Sequence, residues 1–141
     1  MKTLFFCNLI PNKLGAFEAL LVALADELQG AGDELVIAFA REPIPEVGEE
    51  LRAAGARWVV IEAWTEGAGR EHPWAFYRPA LRLLRAENPD VAVVHFGNEL
   101  PSLAAALTGR LQGIRARWIW QQDQEIRDPN PLTRHVSKLG L

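Results

Sequence analysis

A short loop near the start of the chain joins an apolar segment to an amphipathic one. It spans residues 8–16 and contains Asn12, Lys13, Gly15 and Ala16. A helix that begins at Ala16 would present free backbone N–H groups and a partial positive charge, which attract phosphate and other anions. Gly15 lets a ligand approach the backbone and Lys13 adds a positive charge, so the loop predicts a ligand-binding site. The alternative is an ordinary strand-to-helix turn with a solvent-facing lysine.

Two more groups of polar residues follow apolar segments later in the chain. Their chemistry-bearing members are His95, Asn98, Glu99, Gln122 and Asp123. A histidine can transfer a proton or orient a sugar, and amides and carboxylates suit sugar hydroxyls. The competing interpretations are a histidine that hydrogen-bonds to the backbone at a strand end, and a polar loop around residues 121–125.

Composition and motifs exclude several classes of function. The net charge of −3 is spread along the chain, so no basic field predicts a nucleic-acid partner. Neither the dinucleotide-binding glycine pattern nor the P-loop pattern occurs, which argues against their cofactors. No second histidine or cysteine lies at ligand spacing from His95, so we predict no metal site and no cofactor.

Strand-like and helix-like segments alternate along the chain, and these elements must position the polar groups. The strand-like segments are 3–8, 34–39, 57–61, 90–96 and 116–120, and the helix-like segments are 16–29, 46–54, 74–86 and 99–112. In the first helix, the apolar residues at helical spacing are Phe17, Leu20, Leu21, Leu24 and Leu28. We therefore interpret residues 1–141 as one α/β domain.

The alternation predicts a doubly wound, Rossmann-like parallel sheet of strand order 3-2-1-4-5, with helices on both faces. In that order the chain reverses direction between strands one and four, and ligands bind in the crevice at their carboxyl ends. The loop around Gly15 and the segment after His95 both border this crevice.

Three segments resemble the N-terminal domain of a GT-B glycosyltransferase of the large retaining family 4. The first runs from Pro11 through Gly15 and Glu18 to a glycine-polar-strand sequence at 32–36. The second is residues 88–96, which resemble a fourth strand that ends in histidine, and the third is 117–120. The chain departs from the family where paired glycines are common, at Gly15-Ala16, and at Gln121-Gln122, where the family has a histidine.

The resemblance implies the acceptor-side half of a two-domain enzyme that uses a nucleotide-sugar donor and a sugar or lipid-linked acceptor. A C-terminal donor-binding domain would be absent from this chain, which alone would be inactive. Gly15 and Ala16 would contact the donor phosphates, and His95 is the catalytic candidate. The candidates for the acceptor are Asn12, Lys13, Asn98, Glu99, Gln122 and Asp123.

Other assignments stay open at this point. The chain also fits a non-catalytic flavodoxin-like module for a small ligand or partner, or a sugar-nucleotide epimerase. The single cysteine and the lack of a long apolar segment predict a cytoplasmic protein. Arg78, Arg82 and Arg85 form a helical stripe that fits either a solvated face or peripheral contact with the inner face of a membrane.

Overall fold

The computed structural model describes residues 1–7, 11–62, 74–96 and 115–120. The strands are β1 (Lys2–Cys7), β2 (Glu34–Phe39), β3 (Arg57–Val60), β4 (Val91–Phe96) and β5 (Arg115–Trp120). The helices are α1 (Ala16–Gly30), α2 (Pro45–Ala53) and α3 (Trp74–Glu87). The helix predicted over 99–112 and the tail after residue 120 lie outside the described residues.

The five strands form one parallel sheet of order β3-β2-β1-β4-β5. β1 lies at its centre, where Cys7 is in register with Phe39 of β2 on one side and with His95 of β4 on the other. The chain therefore reverses direction between β1 and β4. The predicted α/β class and the predicted strand order are confirmed.

Alternate residues of each strand face opposite sides of the sheet, and each side is covered by helices. On one side, Phe5, Cys7 and Ile37 pack with Phe17 of α1 and Leu51 of α2. On the other side the strand residues Leu4, Phe6, Val36, Ala38, Ala92 and Val94 pack with Ala80, Leu83 and Leu84 of α3. The predicted helices on both faces are confirmed within the described elements.

The buried side of α1 differs from the predicted stripe at one position. Leu21 is fully buried, whereas Leu20 is 52% exposed. The buried residues of α1 are Phe17, Glu18, Leu21 and Ala25, with Glu18 only 7% exposed. Because successive helical residues point about 100° apart, this buried arc extends towards Glu18 and leaves Leu20 outside it.

Charged residues cluster at the amino-terminal edge of the sheet. Arg57 donates hydrogen bonds to Glu34 at 2.8 Å and to Glu87 at the end of α3, and the Lys2 ammonium lies 3.5 Å from Glu34 and 3.6 Å from Glu87. The hydrogen bonds from the Arg57 guanidinium lower the pKa of both carboxyls, and bonding to Glu87 and Glu34 raises the pKa of Arg57. This network ties α3 to β2 and β3 at the edge opposite the predicted site.

Candidate functional site

We define the ligand loop as residues 11–16, which lead from the carboxyl end of β1 into α1. Gly15 is the N-cap of α1 and has an extended backbone, with φ −106°. The side chains of Asn12 and Lys13 are exposed, as is Ala16. The structure thus places these three predicted binding residues together at the end of β1, accessible to a ligand.

The backbone N–H of Gly15 already has acceptors inside the protein. It donates to Oε2 of Glu18 at 3.1 Å and to the carbonyl oxygen of Lys13 at 3.1 Å. A glutamate three residues after the N-cap commonly satisfies the cap N–H in this way. A phosphate at this helix terminus would therefore share Gly15 with the Glu18 carboxylate, or would use the N–H of exposed Ala16 instead.

The absence of a side chain at Gly15 makes room for Glu18. A β-carbon placed on Gly15 would lie 2.9 Å from Oε2 of Glu18 and 3.6 Å from Cε of Lys13. Because φ of Gly15 is negative, any residue could adopt its backbone conformation. In the structure, the space at Gly15 is filled by a carboxylate of the same helix.

His95 lies at the carboxyl end of β4, beside Cys7 of β1, and is 2% exposed. Its ring centroid is 4.3 Å from that of Phe17, with the two planes at 44°. Phe17 also makes an edge contact with Phe5, at 6.3 Å. The imidazole therefore packs beneath the first turn of α1, where it contacts Phe17, two residues after Gly15.

A second loop, which joins β2 to α2, is fastened to the ligand loop. The Ile44 N–H donates to the carbonyl oxygen of buried Pro11 at 3.1 Å. In this second loop, Arg41 is exposed and Glu42 accepts a 2.8 Å hydrogen bond from Nε1 of Trp58. Sequence reasoning missed Arg41 and Glu42, although two charged residues one position beyond the end of a buried strand are a signal for that edge of the sheet.

The remaining predicted residues have varied outcomes. Asn98, Glu99, Gln122 and Asp123 lie outside the described residues. Arg78, Arg82 and Arg85 are all exposed on α3, as a solvated helix face requires.

Within the described ranges, no three potential ligands are grouped to hold a metal ion. No helix in the same ranges has the length and apolar character needed to cross a bilayer.

A groove of about 460 Å³ lies on another part of the domain, between β3 and α3. Its lining is mainly apolar and includes Val59, Ile61, Pro79 and Leu83, with Arg82 at its side. The groove adjoins the edge strand β3, and none of its lining residues belongs to β1 or to the ligand loop. The ligand loop and this groove are separate features.

No family model matches this chain, and no curated protein matches it. Solved structures do resemble it: a UDP-N-acetylglucosamine 2-epimerase has a TM-score of 0.63 at 14% identity and covers 99% of this chain. The UDP-GlcNAc 2-epimerase from Neisseria meningitidis, bound to UDP-GlcNAc, has a TM-score of 0.59 at 17% identity over 99% of this chain. CalG4, the calicheamicin glycosyltransferase, has a TM-score of 0.53 at 18% identity over 98% of this chain.

These likenesses decide the fold. The chain has a Rossmann-like fold, similar to part of these GT-B-type neighbours. It spans 39%, 38% and 35% of the lengths of those three neighbours, in the same order. This similarity to GT-B-type structures agrees with the resemblance found in the sequence, whereas membership of family 4 and a retaining outcome are still predictions.

Proposed function

We propose that this GT-B-type domain is the acceptor-side half of a glycosyltransferase that uses a nucleotide-sugar donor. The observation that carries the proposal is the ligand loop, which presents Asn12, Lys13 and Ala16 at the end of β1, where the strand order reverses. Two structural neighbours are UDP-N-acetylglucosamine 2-epimerases and a third is a glycosyltransferase, which supports a nucleotide sugar as the ligand class.

In the proposed reaction, an acceptor hydroxyl forms a bond to the anomeric carbon of the donor sugar, and the bond to the nucleoside diphosphate breaks. The leaving group keeps the bonding electron pair, and the hydroxyl proton passes to a base or to water. The first turn of α1, at Gly15 and Ala16, would stabilise the developing charge on the diphosphate. Asn12 and Lys13 would bind the acceptor, with Asn98, Glu99, Gln122 and Asp123 as its further candidates.

The role of His95 within this proposal has two versions. A catalytic histidine would accept the acceptor proton at the end of β4. Burial against Phe17 favours the other version, in which the ring supports α1 and the ligand loop from below. We propose the supporting role, and the variant His95→Phe separates the two.

The remaining parts of the proposal concern the whole protein. A C-terminal domain would bind most of the donor, so that these 141 residues alone bind ligand weakly and transfer no sugar. The enzyme would belong to family 4, retain the anomeric configuration and act in the cytoplasm on a sugar or lipid-linked acceptor at the inner face of the membrane. The exposed arginines of α3 are the residues offered for that contact.

Calorimetry of the natural protein that contains these residues tests the proposal, with UDP and UDP-GlcNAc as probes. We expect binding of both, weakened by Ala16→Glu, which adds a negative charge at the helix terminus. The matched control is Ala19→Glu, one turn further along α1 at an exposed position. Failure of the wild-type protein to bind either probe, or equal effects of the two variants, would overturn the assignment.

A sugar-nucleotide epimerase is the second candidate, favoured by the likeness to two such epimerases. Incubation of the natural protein with UDP-GlcNAc and no acceptor distinguishes the two enzymes. Conversion to an epimeric UDP-sugar supports the epimerase, whereas consumption that requires an added acceptor supports transfer. Binding of UDP-GlcNAc without any conversion would favour the flavodoxin-like, non-catalytic module.

A further inference from the structure

Two exposed cations lie in the loops that follow adjacent strands at the carboxyl edge of the sheet. Lys13 follows β1 and Arg41 follows β2. The hydrogen bond from Ile44 to Pro11, at 3.1 Å, holds these two loops together. The fold therefore places two positive charges in neighbouring loops at the carboxyl edge of the sheet.

Carboxylates in the same two loops and in the first turn of α1 are engaged with uncharged donors. Glu18 accepts from the Gly15 N–H at 3.1 Å, and Glu42 accepts from the Trp58 indole N–H at 2.8 Å. Within the part of the chain that the structure describes, neither Lys13 nor Arg41 forms an ion pair. Their charges are thus available to a ligand.

The cations at the opposite edge of the sheet differ from Lys13 and Arg41 because they form ion pairs. There Lys2 and Arg57 both pair with Glu34 and Glu87. Cations at the amino edge thus bind carboxylates of the protein, whereas those of the two loops at the carboxyl edge are exposed without such partners among the described residues.

We propose that Lys13 and Arg41 form a subsite for the anionic group of a small acceptor, a sugar that carries a phosphate or a carboxylate. A guanidinium binds either group through two parallel hydrogen bonds, and an ammonium adds a second charge. The inference rests on the proposed function, which assigns the acceptor to this domain. Arg41 follows β2, on the side of β1 away from β4, so its subsite is distinct from the donor phosphates proposed at Ala16.

The test measures binding of three probes to the natural protein: glucose 6-phosphate, glucuronate and neutral glucose. UDP serves as the donor-side reference. The decisive variant is Arg41→Gln, because the Lys13 side chain also lies over Gly15, with Cε 3.6 Å from the position of a β-carbon there. Lys13→Gln is measured beside it, and Arg78→Gln, an exposed cation on α3, is the control.

We expect Arg41→Gln to weaken the binding of glucose 6-phosphate or glucuronate about tenfold, because the amide of glutamine replaces two charge-assisted hydrogen bonds with a weaker, uncharged one. Binding of glucose and UDP should stay unchanged, and so should the thermal midpoint of unfolding. The probe that binds more tightly to the wild type identifies the group as phosphate or carboxylate.

Four results overturn the inference. The wild type binds neither charged probe more tightly than glucose, Arg41→Gln matches the Arg78→Gln control, or Arg41→Gln weakens UDP by the same factor as the charged sugars. Loss of binding to phosphatidylglycerol vesicles, with sugar binding unchanged, would also overturn it in favour of a membrane contact. A protein that binds no UDP at all contradicts the proposed function instead, so the two failures are distinguishable.

Discussion

The Glu18 carboxylate occupies the volume that a β-carbon of residue 15 would need, 2.9 Å from its ideal position. The same oxygen accepts the Gly15 N–H at 3.1 Å. Glycine at residue 15 therefore has a reason inside the fold, independent of any ligand that approaches the loop.

Gly15→Ala should lower the free energy of unfolding by about 1 kcal/mol, because the Glu18 carboxylate must leave the cap. Glu18→Ala should cost a similar amount, and the double variant should cost less than the sum, because no carboxylate is left to displace. Chemical denaturation of the four proteins measures this coupling. Gly15→Ala combined with a change of exposed Glu27 is the control and should be additive. Additive costs for Gly15 and Glu18 would contradict the observed contact.

Two adjacent leucines of α1 should respond very differently to truncation. Leu21→Ala should lower the free energy of unfolding by about 2 to 5 kcal/mol, since Leu21 is fully buried against the sheet. Leu20→Ala should change it by less than about 0.5 kcal/mol, since Leu20 is half exposed. Urea titrations of the two variants measure the difference. Equal costs would mean that α1 is rotated from the orientation described.

The ring of His95 should be replaceable by another ring. His95→Phe should keep the free energy of unfolding within about 1.5 kcal/mol, because the new ring fills the space against Phe17, whereas His95→Ala should lose about 2 to 3 kcal/mol by opening a cavity. Denaturation and sugar-transfer assays of both variants test the two roles. Loss of transfer in His95→Phe at unchanged stability would assign the histidine a catalytic role.

Stability should fall in acid partly through the cluster at the amino edge. The pKa values of Glu34 and Glu87 lie below their ordinary value of 4.5, so near that pH the unfolded chain binds more protons than the folded one. Their contribution is therefore complete above pH 4.5 and is lost as the pH falls through the lower, folded values. Arg57→Met should remove about 1 kcal/mol of the stability that is lost between pH 7 and pH 3 in denaturation curves, because the cluster is only partly buried. Arg85→Met, an exposed cation in the last turn of α3, should leave the slope intact, and an equal effect would refute the assignment.

The sequence was sufficient for the elements because their patterns are local. The predicted strand 34–39 has the observed bounds, and the helix predicted over 16–29 ends one residue later, at Gly30. The glycines predicted at helix ends also have the left-handed backbone that such ends favour: Gly32 and Gly55, which follow α1 and α2, have φ values of 75° and 80°. Parallel order followed from the alternation, since strands joined by helices must cross over.

Other features depend on contacts between distant residues. The burial of His95 required the position of Phe17, and the bond from Ile44 to Pro11 joins loops 33 residues apart, so neither follows from a local pattern. The hydrogen bond from Gly15 to Glu18 could have been predicted from the sequence, because a glutamate three residues after an N-cap is a recognised pattern. The prediction that Leu20 belongs to the apolar stripe of α1 was wrong, because that stripe was wider than the arc of a helix that a sheet can cover.

The bond between Pro11 and Ile44 has a consequence for protein engineering. The ligand loop and the loop after β2 share a hydrogen bond through their backbones, so each supports the conformation of the other. A chimaera that receives only one of them from a relative would pair two loops that did not evolve together. Substrate preference in such a domain should be grafted with both loops as one cassette, carried on the ends of β1 and β2.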